Sequence, residues 1–293
     1  MKRFWNIKNY GFMAVATLAS ALAGSCSSKS ETAVGVAPQG ITSFKHISVD
    51  TTMTLFSNYE KPDCRLQLNF DLPAAASSQK VLELTNTLIV TLTQDGTYAS
   101  DKNNDPEMMI RNYTKTYIRN YLEEGNDAIN NFGDDMVGAA TWMSYEENCD
   151  GTALYNDNDV FSYSVRIYSY TGGAHGNSTN CVASLDLKNL RNVTLDYLFA
   201  EPAIGQIREM MVDYLKNDYQ LLNEEFDVTE NFYLSDKGIT FIYDPFEIAA
   251  YSYGEIAITL GWDQLRPLVS DNSPLKQNQL ITPVTTERDG ICQ

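Results

Sequence analysis

The chain has 293 residues, of which 38 are acidic and 21 basic, and it carries a formal charge of −17. That balance argues against nucleic acid as a partner, because phosphate backbones need cationic neutralisation. It suits a basic protein partner or simple solubility.

Residues 1–25 read as a leader. Lys2, Arg3 and Lys8 give a basic start, and a stretch of small and aliphatic residues follows from Gly11 to Ala23. A membrane-crossing helix needs about 20 apolar residues, so this stretch is too short to span a bilayer and reads as a secretory signal. It closes on Leu22-Ala23-Gly24-Ser25-Cys26, followed by the polar run "SSKSE". Small residues immediately before a cysteine resemble a bacterial lipoprotein signal, which implies that Cys26 takes diacylglycerol and becomes the mature N-terminus; ordinary cleavage after a small residue is the alternative. The leader holds three cations and no anion, so the rest of the chain carries about −20. Residues 26–40 are small, polar and without period, as in a flexible tether.

Folding begins near Ile41. "FKHISVDTTMTL" and "CRLQLNFDLP" alternate apolar and polar residues and predict half-buried strands. "SSQKVLELTNTLIVTL" spaces Val81, Leu84, Leu88 and Leu92 about one turn apart behind a serine able to cap, which predicts a helix, although its β-branched tail is also compatible with a strand. "DPEMMIRNYTKTYIRNYLEEG" is a clearer helix: Asp105 caps, Pro106 suits the first turn, and Ile110, Tyr113, Tyr117 and Tyr121 form a core-facing stripe. From Thr141 the pattern returns to strands, with "TWMSYEENCDGTALYN" and "VFSYSVRIYSYT" pairing across a turn, then "NCVASLDL". A helix over "AIGQIREMMVDYLKNDY" buries Ile204, Ile207, Met211 and Leu215. "NFYL", "GITFIYD" and "GEIAITLGW" finish as short strands. Strands and helices in this order predict an α+β fold in which helices pack on antiparallel sheet. The expected division is a region over 41–150, a second over 151–270 and a C-terminal tail over 271–293.

Four cysteines follow Cys26: Cys64, Cys149, Cys181 and Cys292. An exported chain meets oxidising conditions, so at least one disulfide is expected, best placed among the first three. Spacing alone cannot choose among the pairings. With no C-x-x-C and two histidines, no metal site or other cofactor is expected. Asn156-Asp157-Asn158-Asp159 has calcium-loop acidity without the glycine and distal glutamate of an EF-hand, and reads as a hairpin turn.

"YSYTGGAHGNS" resembles the signature of a bacterial exported domain family found in the C-terminal region of the anti-sigma factor RsiV and the N-terminal region of the peptidoglycan deacetylase PdaC. "SLDLKNLRNVTLDYLF" and "GITFIYDPFEIAAYSYGEIAITL" are similar to later family blocks. The resemblance implies an α+β module and a lysozyme-binding role like that of RsiV. The aspartate-rich and histidine-rich motifs of a polysaccharide deacetylase are missing from the sequence, so that chemistry is not implied.

The residues also speak for themselves. Gly172, Gly173 and Gly176 permit the positive φ of a strand reversal, and His175 between them could lock the loop through a carbonyl, contact a ligand, or act as a base. "YDPFEIAAYSYGE" sets Asp244, Glu247 and Glu255 among aromatics. Paired carboxylates could serve a glycosidase, but a broken strand with packing tyrosines and solvated acids explains them more simply. The leading expectation is a lipid-anchored envelope protein, on the periplasmic or surface face, whose noncatalytic module binds cell-wall glycan or a basic wall-degrading protein such as lysozyme. Gly172, Gly173, His175, Asp244, Phe246, Tyr251 and Tyr253 are its contact candidates. An envelope hydrolase using His175 with Asp244 or Glu247 is the rival expectation, and a structural lipoprotein without small ligand the third.

Overall fold

The computed structural model describes residues 40–56, 62–93, 104–132, 142–223 and 225–281. Cys26, Cys292, the leader and the tether up to residue 39 lie outside them.

The predicted strands near the start are β1 (Ile41–Thr54) and β2 (Asp63–Ala76), paired antiparallel. Alternation along β2 buries Leu66, Leu68 and Phe70 and turns Arg65, Gln67 and Asn69 outward. Helix α1 (Gln79–Thr93) follows, and Ser78 Oγ accepts from Val81 N at 3.3 Å, the cap expected of that serine. The β-branched tail remains helical. Thr87, Thr91 and Thr93 donate their hydroxyls to carbonyls one turn back, and Leu88 and Ile89 are buried against the sheet.

Helix α2 (Pro106–Phe132) begins where Asp105 Oδ1 accepts from Glu107 N and Met108 N, at 2.9 and 3.2 Å. Ile110, Tyr113 and Tyr121 are buried, as the stripe predicts. The helix runs past Gly125, the last residue of the predicted helical stretch, to Phe132. Gly125 is a packing residue: a Cβ there would collide with the Leu55 side chain.

Strands β3 (Tyr145–Asn156), β4 (Val160–Tyr170), β5 (Asn177–Asp186) and the short β6 (Arg191–Val193) complete a six-stranded sheet in the order β1-β2-β3-β4-β5-β6. One pair departs from the antiparallel expectation. Strands β2 and β3 run parallel, because α1 and α2 lie between them and carry the chain back across the sheet, the crossover that a parallel pair requires. Position 150, the expected regional boundary, falls inside β3, whose sheet neighbours come from both sides of it.

Beyond β6 come α3 (Leu195–Leu198), α4 (Glu201–Leu215), β7 (Phe232–Ser235), β8 (Gly238–Tyr243), β9 (Ile256–Gly261) and α5 (Trp262–Leu265). Strands β7, β8 and β9 form a separate antiparallel sheet. Helix α4 buries Ile207, Met211 and Leu215 in the same core as Phe232, Phe241 and Ile258 of this small sheet, while Ile204 is half-buried. The expected tail is packed at its start, with Leu275 and Ile281 buried in that core.

The two faces of the large sheet are built differently. Leu66, Leu68, Phe70, Phe161, Tyr163 and Val165 pack under α1 and α2. The other face meets the edge strand β7 through polar groups. Ser162 Oγ donates to Leu234 O at 2.7 Å, Leu234 N donates to Ser184 Oγ at 2.8 Å, and the two serine hydroxyls lie 2.7 Å apart. The outward backbone groups of β7 are thus satisfied by side chains rather than by another strand.

No disulfide joins Cys64, Cys149 or Cys181 to one another. The ladder forbids it. Cys64 pairs with Tyr145 and Cys149 with Leu68, so these two thiols sit four residues apart along the strands, and Cys149 and Cys181 lie on β3 and β5 with β4 between. Strands spaced about 4.8 Å apart put that second pair near 10 Å, beyond the roughly 7 Å that a bridge tolerates. Burial pushes the Cys64 thiol up to about 11.

Candidate functional site

The glycine loop joins β4 to β5. Gly172 (φ 84°) and Gly173 (φ 113°) adopt the left-handed conformations the reversal needs, and a Cβ at Gly172 would also strike the carbonyl of Trp142. Gly176 lies against the Tyr168 ring, where a Cβ would approach within 2.6 Å, and Tyr170 Oη donates to Gly173 O at 2.9 Å. His175 is exposed, with Nδ1 3.1 Å from Gly176 O. Among the described residues no carboxylate orients its ring, the arrangement a general base would need.

The stretch from Asp244 to Glu255 forms a strap beside this loop. Asp244 Oδ1 accepts from Asn180 N at 3.1 Å. Burial raises the Asp244 carboxyl above its ordinary value and nearby Glu255 pushes the same way, against the Asn180 N–H, Thr179 and Arg166. Glu247 Oε2 accepts from Asp244 N at 2.8 Å, and burial raises its carboxyl too. Glu255 pairs with Arg166 at 3.0 Å. These acids do not simply face water. Asp244 serves the open edge of β5 beyond the short β6. Asn231 does the same: its Oδ1 accepts from Val182 N and its Nδ2 donates to Asn180 O, both at 2.8 Å. Asn231 was not legible from sequence, since a single asparagine before a short strand carries no periodic signal.

Two stretches that are distant in sequence meet here. Tyr251 Oη donates to Gly176 O at 2.9 Å, and its ring centroid lies 4.8 Å from that of His175. On the far side of the strap, Leu222 N donates to Ile248 O at 2.9 Å, and Tyr253 packs on Tyr219 with centroids 5.2 Å apart. The strap is therefore pinned on both flanks, yet its aromatics remain open to solvent. Tyr251 is 43%, Tyr253 41% and Phe246 65% exposed. Phe246 also has φ 73°, a conformation costly for a bulky side chain. Two clefts lie elsewhere: one of about 590 Å³ lined by Tyr155, Asp157, Lys237 and Trp262, and one of about 320 Å³ between α1 and β6. Asp157 belongs to the predicted β3–β4 turn, where its Oδ1 accepts from Asp159 N and Val160 N.

Comparison with known proteins follows this division of the chain. Residues 67–178 match the model named Deacetylase PdaC, and residues 189–263 match that of a protein of unknown function, DUF3298. Both stretches match the family suspected from the glycine loop. The first match ends within β5, just after the loop, and the second spans the small sheet and the strap. A crystal structure of a DUF3298 family member from Bacteroides fragilis is similar over 80% of this chain and 96% of its own, with 25% identity and a TM-score of 0.69. Another, from Pseudomonas aeruginosa PAO1, shares the fold at 13% identity and a TM-score of 0.53, covering 79% of this chain and 97% of its own. No curated protein matches. The two family matches indicate an exported cell-envelope protein family.

Proposed function

We propose that the protein is a lipid-anchored envelope receptor, tethered through Cys26, whose exposed face at His175, Phe246, Tyr251 and Tyr253 binds a basic wall-degrading protein such as lysozyme without chemistry of its own. The observation that carries this reading is the strap together with the glycine loop beside it: four solvent-open rings, of which His175, Tyr251 and Tyr253 each meet a backbone group through a hydrogen bond and Phe246 sits on a strained residue. Exposed aromatics on a rigid frame lose little entropy on binding and commonly dominate binding energy. The net charge, about −20 without the leader, attracts a cationic protein to the molecule as a whole, an effect that reaches about 8 Å at physiological salt. The hydrolase alternative is less well supported, because Asp244, Glu247 and Glu255 are each engaged with a named neighbour in the fold.

Titration calorimetry of the protein with c-type lysozyme at physiological salt tests the proposal. Saturable binding that Tyr251→Ala or Phe246→Ala weakens at least about tenfold supports it. Binding that either variant leaves unchanged, or none at all, sinks it. Saturable binding to purified peptidoglycan fragments instead would make wall glycan the ligand of the same face.

A further inference from the structure

Strand β1 is the edge of the six-stranded sheet, and it is long, at 14 residues. Its register with β2 is regular from Phe44 to Thr54, and the same register continues where Leu55 N donates to Pro62 O at 3.0 Å. Backbone groups alternate in direction along an antiparallel strand. Because Leu55 points its N–H at β2, the odd-numbered residues face β2. His46, Ser48, Asp50 and Thr52 therefore direct their N–H and C=O groups away from the sheet. Among the described residues these groups have no backbone partner. Natural edges are usually blocked by proline, bulges or inward charges. Here the only register shifts lie between Ile41 and Phe44, and no proline occurs in the strand.

We propose that this edge is a homodimer interface, in which β1 of a second copy pairs antiparallel with it and joins two six-stranded sheets into one. The side chains select a register. A two-fold axis perpendicular to the sheet keeps the helix-covered faces of both copies on the same side, and centring it on Ser48 sets His46 opposite Asp50 of the second copy, twice. It also sets half-buried Ile47 opposite half-buried Val49 of the second copy, twice, on the side where the helices lie. Centring on Asp50 would oppose like charges, which destabilises a cross-strand pair, and centring on His46 would leave Asp50 without a basic neighbour across the strand. His46, Ser48 and Asp50 already form a polar row with Asp71, Asn69 and Gln67 of β2, which the second copy would extend.

Cysteine cross-linking of the full chain in its native membrane tests both the dimer and its register. Ser48 faces itself across the axis, so Ser48→Cys under mild oxidation should make a species of twice the monomer mass the main band on a non-reducing gel, while the wild type and Thr52→Cys stay monomeric. Equal cross-linking at the two positions, or none in a Ser48→Cys protein that keeps its circular dichroism, overturns the proposal. Sedimentation of the detergent-solubilised chain gives a second reading: Ser48→Pro removes an outward N–H without touching the β1–β2 ladder and should halve the protein mass. A wild type that sediments as a monomer overturns the idea as well.

Discussion

The helix-covered face of the large sheet and its opposite face solve one problem by different means. Under α1 and α2, contact is apolar and non-directional: Phe70, Phe161, Tyr163 and Ile89 are buried to within 1% of complete burial. On the opposite face, Ser162 and Ser184 fix β7 through hydrogen bonds to backbone atoms, while Asn231 and Asp244 tie the small sheet and the strap to the neighbouring open edge of β5. Apolar packing supplies most of the stability, since burying a large side chain is worth about 1.5–3 kcal/mol and a net hydrogen bond about 1 kcal/mol. Directional bonds supply position. The serine network fixes β7, and Tyr251, bonded to Gly176 O, holds the strap against the glycine loop.

Substitutions should separate the two modes. Phe161→Ala on the apolar face should cost about 3–5 kcal/mol in denaturant unfolding, as for large cavities in cores. A loss below about 1 kcal/mol would mean that this face carries less of the stability than its burial implies.

Glu147 is the exception on that face. It is 6% exposed, pairs in register with buried Leu66, and its Oε1 has no hydrogen-bond partner among the described residues. Burial pushes its carboxyl up to about 7, against a Ser169 hydrogen bond that lowers it. The folded state therefore holds the proton more tightly than the unfolded chain. The stability this confers is complete below the ordinary value near 4.5 and is lost as pH rises through about 7. By linkage the loss is about 3 kcal/mol, and Glu147→Gln should flatten that part of the pH–stability curve. An unchanged curve in the variant would assign the dependence to other groups.

On the polar face, Asn231→Ala removes three hydrogen bonds and strands the β5 edge, for an expected cost of about 2–3 kcal/mol. Amide exchange should quicken at Val182 and not at Val165. Equal quickening at both would show that the residue stabilises the whole sheet rather than its edge. The smallest effect belongs to His175→Ala. Because the ring is exposed, stability should fall by under about 1 kcal/mol, with little shift in melting temperature. A larger loss would make the loop part of the core.

Local pattern determined much of this molecule. The alternation of β2, the Tyr113 and Tyr121 stripe, the caps at Ser78 and Asp105, and the positive-φ glycines at 172 and 173 each express a preference settled within a few residues, so each was legible in the sequence. The exposed candidates Tyr251 and His175 were legible as unusual residues, but their meeting was not. Tertiary structure alone decided the parallel β2–β3 pair, the separation of the three thiols, the continuation of α2 past Gly125, and the use of Asp244 and Asn231 as substitutes for a missing strand. The physical reason is common to all four. Each depends on which backbone edge remains open, or which side chain lies opposite, once strands distant in sequence have paired, and no periodicity within a segment records its neighbour.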